Sequence, residues 1–281
     1  MTTTLSIGGI PLALEGGDSL RRFMALPWIG VFVGEAKPEV QVRLDVPLQL
    51  PPCRLLHRFD IADGNNVCRF GIDAEGVYWY DFEDDRLMRY DPRQPNVAEL
   101  TSMADISVLR FAIWTAYSML GLPRRKVPVH SSAVVCDGRA VMCLGESGTG
   151  KSTHTRLWLE NIPDTHLLND DSPILAVEGD EVVVYGSPWS GKTHCYRQER
   201  VPVAALLRLE QKPENTIRKL GVIESFAALQ PSCPPCMAKE ERLMDRLVDY
   251  ISDVIQRVSV YRMGCLPDAD AARLSHKTII G

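Results

Sequence analysis

The first 95 residues alternate between apolar and polar side chains over short runs. Residues 39–46, EVQVRLDV, follow the two-residue period of a half-buried strand. Residues 68–91 contain three further short apolar runs, separated by turn-forming residues at 74–76 and 84–85, which is typical of a meander. A helix is predicted over 19–25, with Asp18 as its N-cap. The pattern predicts a small β-rich domain.

From residue 99 the pattern changes to longer segments. Residues 99–121 are apolar on more than one face and end at Gly121, a favoured helix terminus, so they predict a buried helix. The elements predicted after it are two strands around an Asp137-Gly138 turn, a helix at 151–160, a strand at 166–169, a hairpin at 174–186, a strand at 203–210, helices at 222–229 and 238–257, a strand at 258–263 and a short helix after Pro267. The chain is therefore expected to divide into a β-rich domain (1–98), a linking helix (99–125) and a mixed α/β domain (126–281).

Two segments of this larger domain match G-x-x-x-x-G-K-[ST], the pattern of a phosphate-binding loop. They are GESGTGKS at 145–152 and GSPWSGKT at 186–193. A working loop needs a strand that leads into it, backbone N–H groups that point inwards, and a helix that begins at its end. The two segments can be judged by these three conditions.

The first segment meets all three conditions, because 140–144 has the pattern of a strand, no proline removes a backbone N–H from the loop, and 151–160 has the pattern of a helix. In the second segment, Pro188 removes a backbone donor, and Trp189 places a bulky side chain where a phosphate would lie. The chain then reaches Pro202, which leaves little room for a helix. The sequence therefore predicts that the first segment is the nucleotide loop.

The roles of the loop residues follow from phosphate chemistry. Backbone N–H groups from Ser147 to Lys151 are expected to cradle the β-phosphate, with the Lys151 amine between the β- and γ-phosphates. The Ser152 hydroxyl is expected to bind Mg²⁺, and Thr153 to lie near the α-phosphate. The predicted nucleotide-binding residues are Gly145, Ser147, Gly148, Thr149, Gly150, Lys151, Ser152 and Thr153. ATP and Mg²⁺ are the expected cofactors.

A pair of carboxylates, Asp170 and Asp171, follows a short apolar strand. One carboxylate at such a strand end can bind Mg²⁺, and a second can accept the proton of an attacking hydroxyl. Consecutive strand residues point to opposite faces, which suits two separate roles. The stretch Asp-Asp-Ser-Pro is also good turn composition. His130, just before the strand that pairs with the loop strand, is a further active-site candidate.

The order His130, GESGTGKST, NDDSP resembles the catalytic domain of bacterial HPr kinase/phosphorylases. It is also similar to the nucleotide-binding part of ATP-dependent phosphoenolpyruvate carboxykinases. The resemblance covers roughly residues 126–210 and implies a mixed-sheet P-loop kinase domain, of α+β or α/β class, preceded by the smaller β-rich domain. It implies that Asp170 and Asp171 are the metal-associated carboxylate and the catalytic base, in an order that stays open, and that His130 lies near that base or near a second metal.

The reaction that this resemblance implies is transfer of the γ-phosphate of ATP to a hydroxyl, on a serine of a protein or peptide or on a small molecule. Two other hypotheses stay open: a small carboxykinase-like enzyme, and a nucleotide-binding regulatory module without turnover. In the second loop, Lys192 is a further catalytic candidate that could contact the γ-phosphate or an acidic substrate. Arg197 and Arg200 are weaker candidates for the same role.

Net charge and the composition of individual segments limit the classes of partner and the compartment that are expected. The formal net charge of −5 argues against a nucleic acid or an anionic membrane as partner. The N-terminus lacks a signal-peptide pattern, and no apolar run is expected to span a bilayer, so the predicted compartment is the cytoplasm. Assembly into a homo-oligomer stays open. Cys233 and Cys236, in Cys-Pro-Pro-Cys, are either a redox pair, half a metal site, or incidental thiols, and the lack of a second CxxC favours the last.

Overall fold

Two mixed β-sheets form the framework of the protein, one in each of two units. The computed structural model describes residues 1–61, 66–191 and 193–281. The first unit comprises residues 1–124 and 236–244, and the second comprises residues 125–235 and 245–281. The fold is thus α+β, with parallel and antiparallel strand pairs in both sheets.

The first unit contains an eight-stranded sheet. Its strands are β1 (Thr2–Ile7), β2 (Ile10–Glu15), β3 (Val40–Arg43), β4 (Cys53–Asp60), β5 (Val67–Asp73), β6 (Tyr78–Asp81), β7 (Leu87–Tyr90) and β8 (Val97–Leu100). Their order in the sheet is β1-β2-β3-β8-β7-β6-β5-β4. The predicted meander is confirmed, because β5, β6 and β7 are antiparallel neighbours.

The helices of the first unit differ from the sequence prediction at their N-termini. Helix α1 (Asp18–Met24) begins at Asp18 itself, so the prediction of Asp18 as N-cap was wrong. The Asp45 carboxylate performs that task instead, since its Oδ2 accepts from the backbone N–H of Ser19 in the first turn at 3.3 Å and from that of Gly17 at 2.7 Å. Helix α2 (Ile106–Gly121) ends at Gly121 as predicted, but it begins seven residues later than expected.

The late start of α2 has a local cause. The Asp105 side chain accepts hydrogen bonds from the N–H groups of Ser107 and Val108, which makes Asp105 the N-cap. Residues 99 and 100 belong to β8, residues 101–105 form neither helix nor strand, and the Thr101 hydroxyl accepts from the N–H of Leu87 at 2.8 Å. Sheet pairing therefore takes the first two residues of the predicted helix, and a short irregular segment separates them from α2.

Helix α2 and the turn that follows it are long and apolar enough to cross a membrane. The segment Ile106–Arg124 has a mean hydropathy of 1.2 over its most apolar window, so the expectation that no run reaches this length was wrong. That window is 67% buried inside the protein, which is the behaviour of a core helix in a soluble globular protein.

The second unit contains a nine-stranded sheet. Its strands are β9 (Lys126–Pro128), β10 (Ser131–Cys136), β11 (Arg139–Leu144), β12 (His166–Asp171), β13 (Ile174–Glu178), β14 (Glu181–Tyr185), β15 (Arg200–Gln211), β16 (Thr216–Lys219) and β17 (Ser259–Cys265). The main path is β12-β10-β11-β15-β14-β13-β9, and β17 pairs with both β15 and β16. Strand β15 runs parallel to β11 and β17, so the C-terminal ends of these three strands meet at one edge.

The remaining α-helices are α3 (Lys151–Asn161), α4 (Val222–Leu229), α5 (Glu241–Arg257) and α6 (Ala269–Ile279). The segment predicted as one helix at 238–257 instead has a 3₁₀ turn, Pro235–Lys239, before α5. Cys233 and Cys236 are both buried and form no disulfide. Burial raises the pKa of Cys233 to about 12 and that of Cys236 to about 11, so both thiols are protonated and unreactive at neutral pH.

Helix α3 is anchored by a buried polar cluster shared with α6. The Trp158 indole donates to the Ser275 hydroxyl at 2.9 Å, and His154 Nε2 lies 3.0 Å from the same oxygen. His154 is only 2% exposed, and its Nδ1 has no hydrogen-bond partner within the described chain. Burial lowers the pKa of His154 to about 4, so the ring is neutral at pH 7.

We expect this histidine to make stability fall in acid. The unfolded chain binds a proton at His154 below its ordinary pKa of 6.5, but the folded protein does so only near pH 4. The free energy of unfolding should therefore drop by about 3 kcal/mol between these two values. Urea unfolding of wild type and His154→Gln from pH 7 to pH 4 measures this, and the variant should lose less. Equal losses in the two proteins would contradict the assignment.

Candidate functional site

The loop at 145–150 joins β11 to α3 and has the geometry of an anion cradle. Gly150 adopts a left-handed conformation (φ 101°) at the N-cap of α3, and Lys151 is the first residue of the helix. Gly145 also has positive φ, and a Cβ there would collide with the Thr149 side chain. Residues 146–148 are exposed, so their backbone is accessible to a ligand. A helix N-terminus that follows such a loop attracts phosphate.

Lys151 is folded back over this loop. Its side chain is largely buried, and Nζ donates to the carbonyl oxygens of Gly145 at 2.9 Å and Glu146 at 3.1 Å. Burial lowers the pKa of Lys151, although the nearby carboxylate of Asp171 works in the opposite direction. The amine is thus held at the loop by two neutral acceptors. A bound phosphate would offer it charged acceptors instead, which form stronger hydrogen bonds.

Asp170 lies beside the first turn of α3. The Ser152 hydroxyl donates to Asp170 Oδ1 at 2.8 Å, and Asp170 is only 4% exposed. Asp170 Oδ2 is buried and has no hydrogen-bond partner among the described residues. An unpaired buried carboxylate oxygen is costly unless a cation or donor satisfies it. The Asp170 carboxylate and the Ser152 hydroxyl together offer one charged and one neutral oxygen ligand, a combination that suits Mg²⁺.

Asp171 faces the other side of the sheet. Asp170 is paired with Ser132, whose hydroxyl lies 3.0 Å from Thr155 on α3, so Asp170 points towards the helix. Asp171, the next residue, points away from it. His130 Nε2 lies 3.8 Å from Asp171 Oδ1, and both side chains are nearly half exposed. Burial, with a smaller effect of the Lys151 charge, lowers the pKa of His130, so the ring is neutral at pH 7.

The described residues of the second GKT segment lie against the carboxylate pair and form no cradle. Ser190 makes an antiparallel bridge with Asp171, and the Gly191 N–H donates to the Asp170 carbonyl at 2.5 Å. Trp189 is buried, and residues 193–199 form neither helix nor strand. The prediction that no helix follows this segment is confirmed. Lys192 lies outside the described residues.

Arg200 does not belong to the site. It is the first residue of β15, at the end of the strand opposite the loop at 145–150. Its guanidinium donates to Glu178 at 3.1 Å and to Glu181 at 3.0 Å. The expectation that Arg200 could contact a phosphate was therefore wrong, because the length of β15 separates Arg200 from the loop.

The other end of β15 supplies residues that the sequence patterns did not indicate. Arg208 donates from Nη2 to Glu146 Oε1 at 2.7 Å, and the Gln211 amide donates to the Gly148 carbonyl at 3.1 Å. A cavity of about 420 Å³ lies between the loop and the ends of β15 and β17. This volume is in the range of small-molecule sites. Arg208 could not be found from local sequence, because the pairing of β15 with β11 brings it next to a loop that is 62 residues away along the chain.

Comparisons with known proteins give little further information. No family model and no curated protein matches the chain. Among solved structures, the HPr(Ser) kinase/phosphatase from Coxiella burnetii is similar with a TM-score of 0.32 and 13% identity. The match covers 54% of this chain and 93% of that one. Similarity at this level shows neither a shared fold nor a shared activity.

Proposed function

We propose that this chain is an ATP- and Mg²⁺-dependent phosphotransferase that moves the γ-phosphate to a hydroxyl of its acceptor. The observation that carries the proposal is the placement of two carboxylates on opposite faces of one strand end, next to a phosphate loop. Asp170 contacts Ser152 on the helix side, and Asp171 lies near His130 on the other. A protein that only binds a nucleotide needs no second carboxylate in this place.

The nucleotide would lie along the loop and the N-terminus of α3. Backbone N–H groups of residues 147–151 would bind the β-phosphate, and Lys151 would exchange its two carbonyl partners for phosphate oxygens. The cavity next to Gly148 and Thr153 has room for the nucleoside. The electrostatic stabilisation of phosphate charge by Lys151 is the main catalytic contribution expected from this part.

Ser152 and Asp170 would hold Mg²⁺. The fit rests on the buried Asp170 Oδ2, which lacks a partner in the described part of the chain, and on the adjacent Ser152 hydroxyl. Bound there, the ion would neutralise charge on the β- and γ-phosphates. Asp170 is thereby assigned to the metal, and Asp171 is left for the acceptor.

Asp171 would act as the base. The acceptor oxygen attacks the γ-phosphorus, its proton passes to the Asp171 carboxylate, and the bond from the γ-phosphorus to the bridging oxygen breaks so that ADP leaves. Neutral His130 at 3.8 Å can orient this carboxylate without holding a competing charge. The acceptor would be a serine of a protein or peptide, or a small alcohol. The reaction would take place in the cytoplasm, where ATP is abundant.

The proposal is tested by two measurements on the wild-type protein. Calorimetry with ATP and Mg²⁺ should show binding that weakens when Mg²⁺ is chelated. With γ-labelled ATP and a panel of serine peptides and small alcohols, label should move to an acceptor or, slowly, to water. Binding without any release or transfer of the γ-phosphate would overturn the phosphotransferase assignment in favour of a regulatory module. Decarboxylation of oxaloacetate would overturn it in favour of a carboxykinase.

A further inference from the structure

Arg208 and Glu146 form an ion pair at the mouth of the phosphate loop. Arg208 on β15 lies in register with Leu144, the last residue of β11 before the loop. Its Nη2 is 2.7 Å from Glu146 Oε1, and Glu146 is the second residue of the loop. The arginine side chain is only 16% exposed, whereas the glutamate is 69% exposed. The arginine is therefore fixed by the sheet, and the glutamate is free to turn into water.

Arg208 lies on the same face of the sheet as Asp171. Its neighbours Leu207 and Leu209 pack in the core under α3, with Trp158 and Met263. Because side chains alternate along a strand, Arg208 points to the opposite face. Asp171 also points away from α3. The guanidinium therefore lies on the side from which an acceptor would approach the γ-phosphate.

The Arg208 guanidinium has N–H donors that its ion pair with Glu146 does not use. Nη1 is buried and lacks a hydrogen-bond partner within the described residues. The positive charge of Arg208 is also close enough to lower the pKa of both Lys151 and His130. The side chain thus lies near the predicted phosphate cation and near the predicted acceptor site. A buried guanidinium with an unused donor is suited to an oxyanion that supplies more acceptors than one carboxylate.

We propose that Arg208 binds the transferring phosphoryl group, and that Glu146 holds Arg208 only until the nucleotide arrives. This inference rests on the proposed function. A triphosphate carries more negative charge than one carboxylate and can receive two parallel N–H donors from the planar guanidinium. Glu146, which is already mostly in water, leaves at little cost. The exchange supplies a second cation to the γ-phosphate beside Lys151.

The test compares Arg208→Gln, Arg208→Lys and Glu146→Gln with wild type. Arg208→Gln should slow single-turnover γ-phosphate transfer by about 10²–10³-fold, as expected for loss of one preorganised transition-state donor. Binding of ADP with Mg²⁺ should stay unchanged, because the β-phosphate is held by the loop. Arg208→Lys keeps the charge but loses the paired donors, so it should fold normally and transfer slowly. A wild-type transfer rate in both arginine variants would overturn the inference.

Glu146→Gln gives an independent readout. Without the competing carboxylate, wild-type Arg208 should bind ATP a few-fold more tightly, and the same change in the Arg208→Gln background should have no effect. Unchanged or weaker ATP binding in Glu146→Gln would contradict the exchange.

Arg262→Gln is the matched control, because Arg262 pairs in register with Arg208 but contacts Glu210. Its transfer rate should match wild type. If wild type itself neither binds nor transfers, the proposed function fails; if only the Arg208 and Glu146 results fail, that function stands.

Discussion

Lys151→Ala is expected to abolish ATP-dependent phosphoryl transfer and to leave the fold intact. The Lys151 amine donates to two carbonyl oxygens of the loop, so Lys151→Ala takes a cation from the phosphates and two hydrogen bonds from the loop. We expect the transfer rate to fall by at least about 10²–10³-fold, the usual cost of one lost electrostatic contact to transition-state charge. Single-turnover transfer of the γ-phosphate measures this loss.

Thermal unfolding separates a catalytic effect of this substitution from a structural one. Without nucleotide, the variant should unfold close to the wild-type temperature. With ATP and Mg²⁺, wild type should be stabilised by binding, and the variant much less so. Lys277→Ala is the control, because Lys277 is an exposed lysine on α6. Transfer at the wild-type rate in Lys151→Ala would show that the loop at 145–152 is not the nucleotide site.

Asp170→Asn and Asp171→Asn are expected to fail in different ways. Asp171→Asn removes the proposed base, so transfer should slow by about 10²–10⁴-fold while binding of ATP and Mg²⁺ stays near wild type. Asp170→Asn removes the charged oxygen next to Ser152, so more Mg²⁺ should be needed for nucleotide binding. The two faces of β12 give the physical reason for this difference.

The two effects are separated by Mg²⁺ titration of ATP binding and by single-turnover transfer at saturating Mg²⁺. Asp164→Asn serves as control, because Asp164 is an exposed turn residue just before β12. If both active-site variants bind and transfer like wild type, the pair is only a structural part of β12, and the phosphotransferase proposal loses its main support. An exchange of the two phenotypes would reverse the roles of metal ligand and base.

Local signals predicted the elements that later carry the site. The hairpin around Asp137 and Gly138, and helix α3 starting at Lys151, follow from turn residues and periodicity within a few residues of the chain. The rejection of GSPWSGKT as a cradle also needed only local information, namely a proline and the lack of room for a helix. These signals are local because the conformations that they specify are local.

The errors arose where a distant residue decided the outcome. Asp45 replaces Asp18 at the N-terminus of α1 because the fold brings its carboxylate to Gly17, 28 residues away in sequence. The start of α2 was placed too early because the pairing partner of β8 could not be read from the apolar run. An apolar pattern records that a residue is buried, but it does not record which surface buries it.

The sequence by itself determined the glycine-rich loop at 145–150, the helix that begins at its end, and the presence of two adjacent carboxylates, because glycine conformations and residue alternation act over a few bonds. Only the tertiary structure decided what each carboxylate faces: Asp170 meets Ser152, and Asp171 meets His130. It also decided that Arg208 lies against Glu146, 62 residues away along the chain. Strand order and register fix these contacts, and both depend on the packing of the whole sheet.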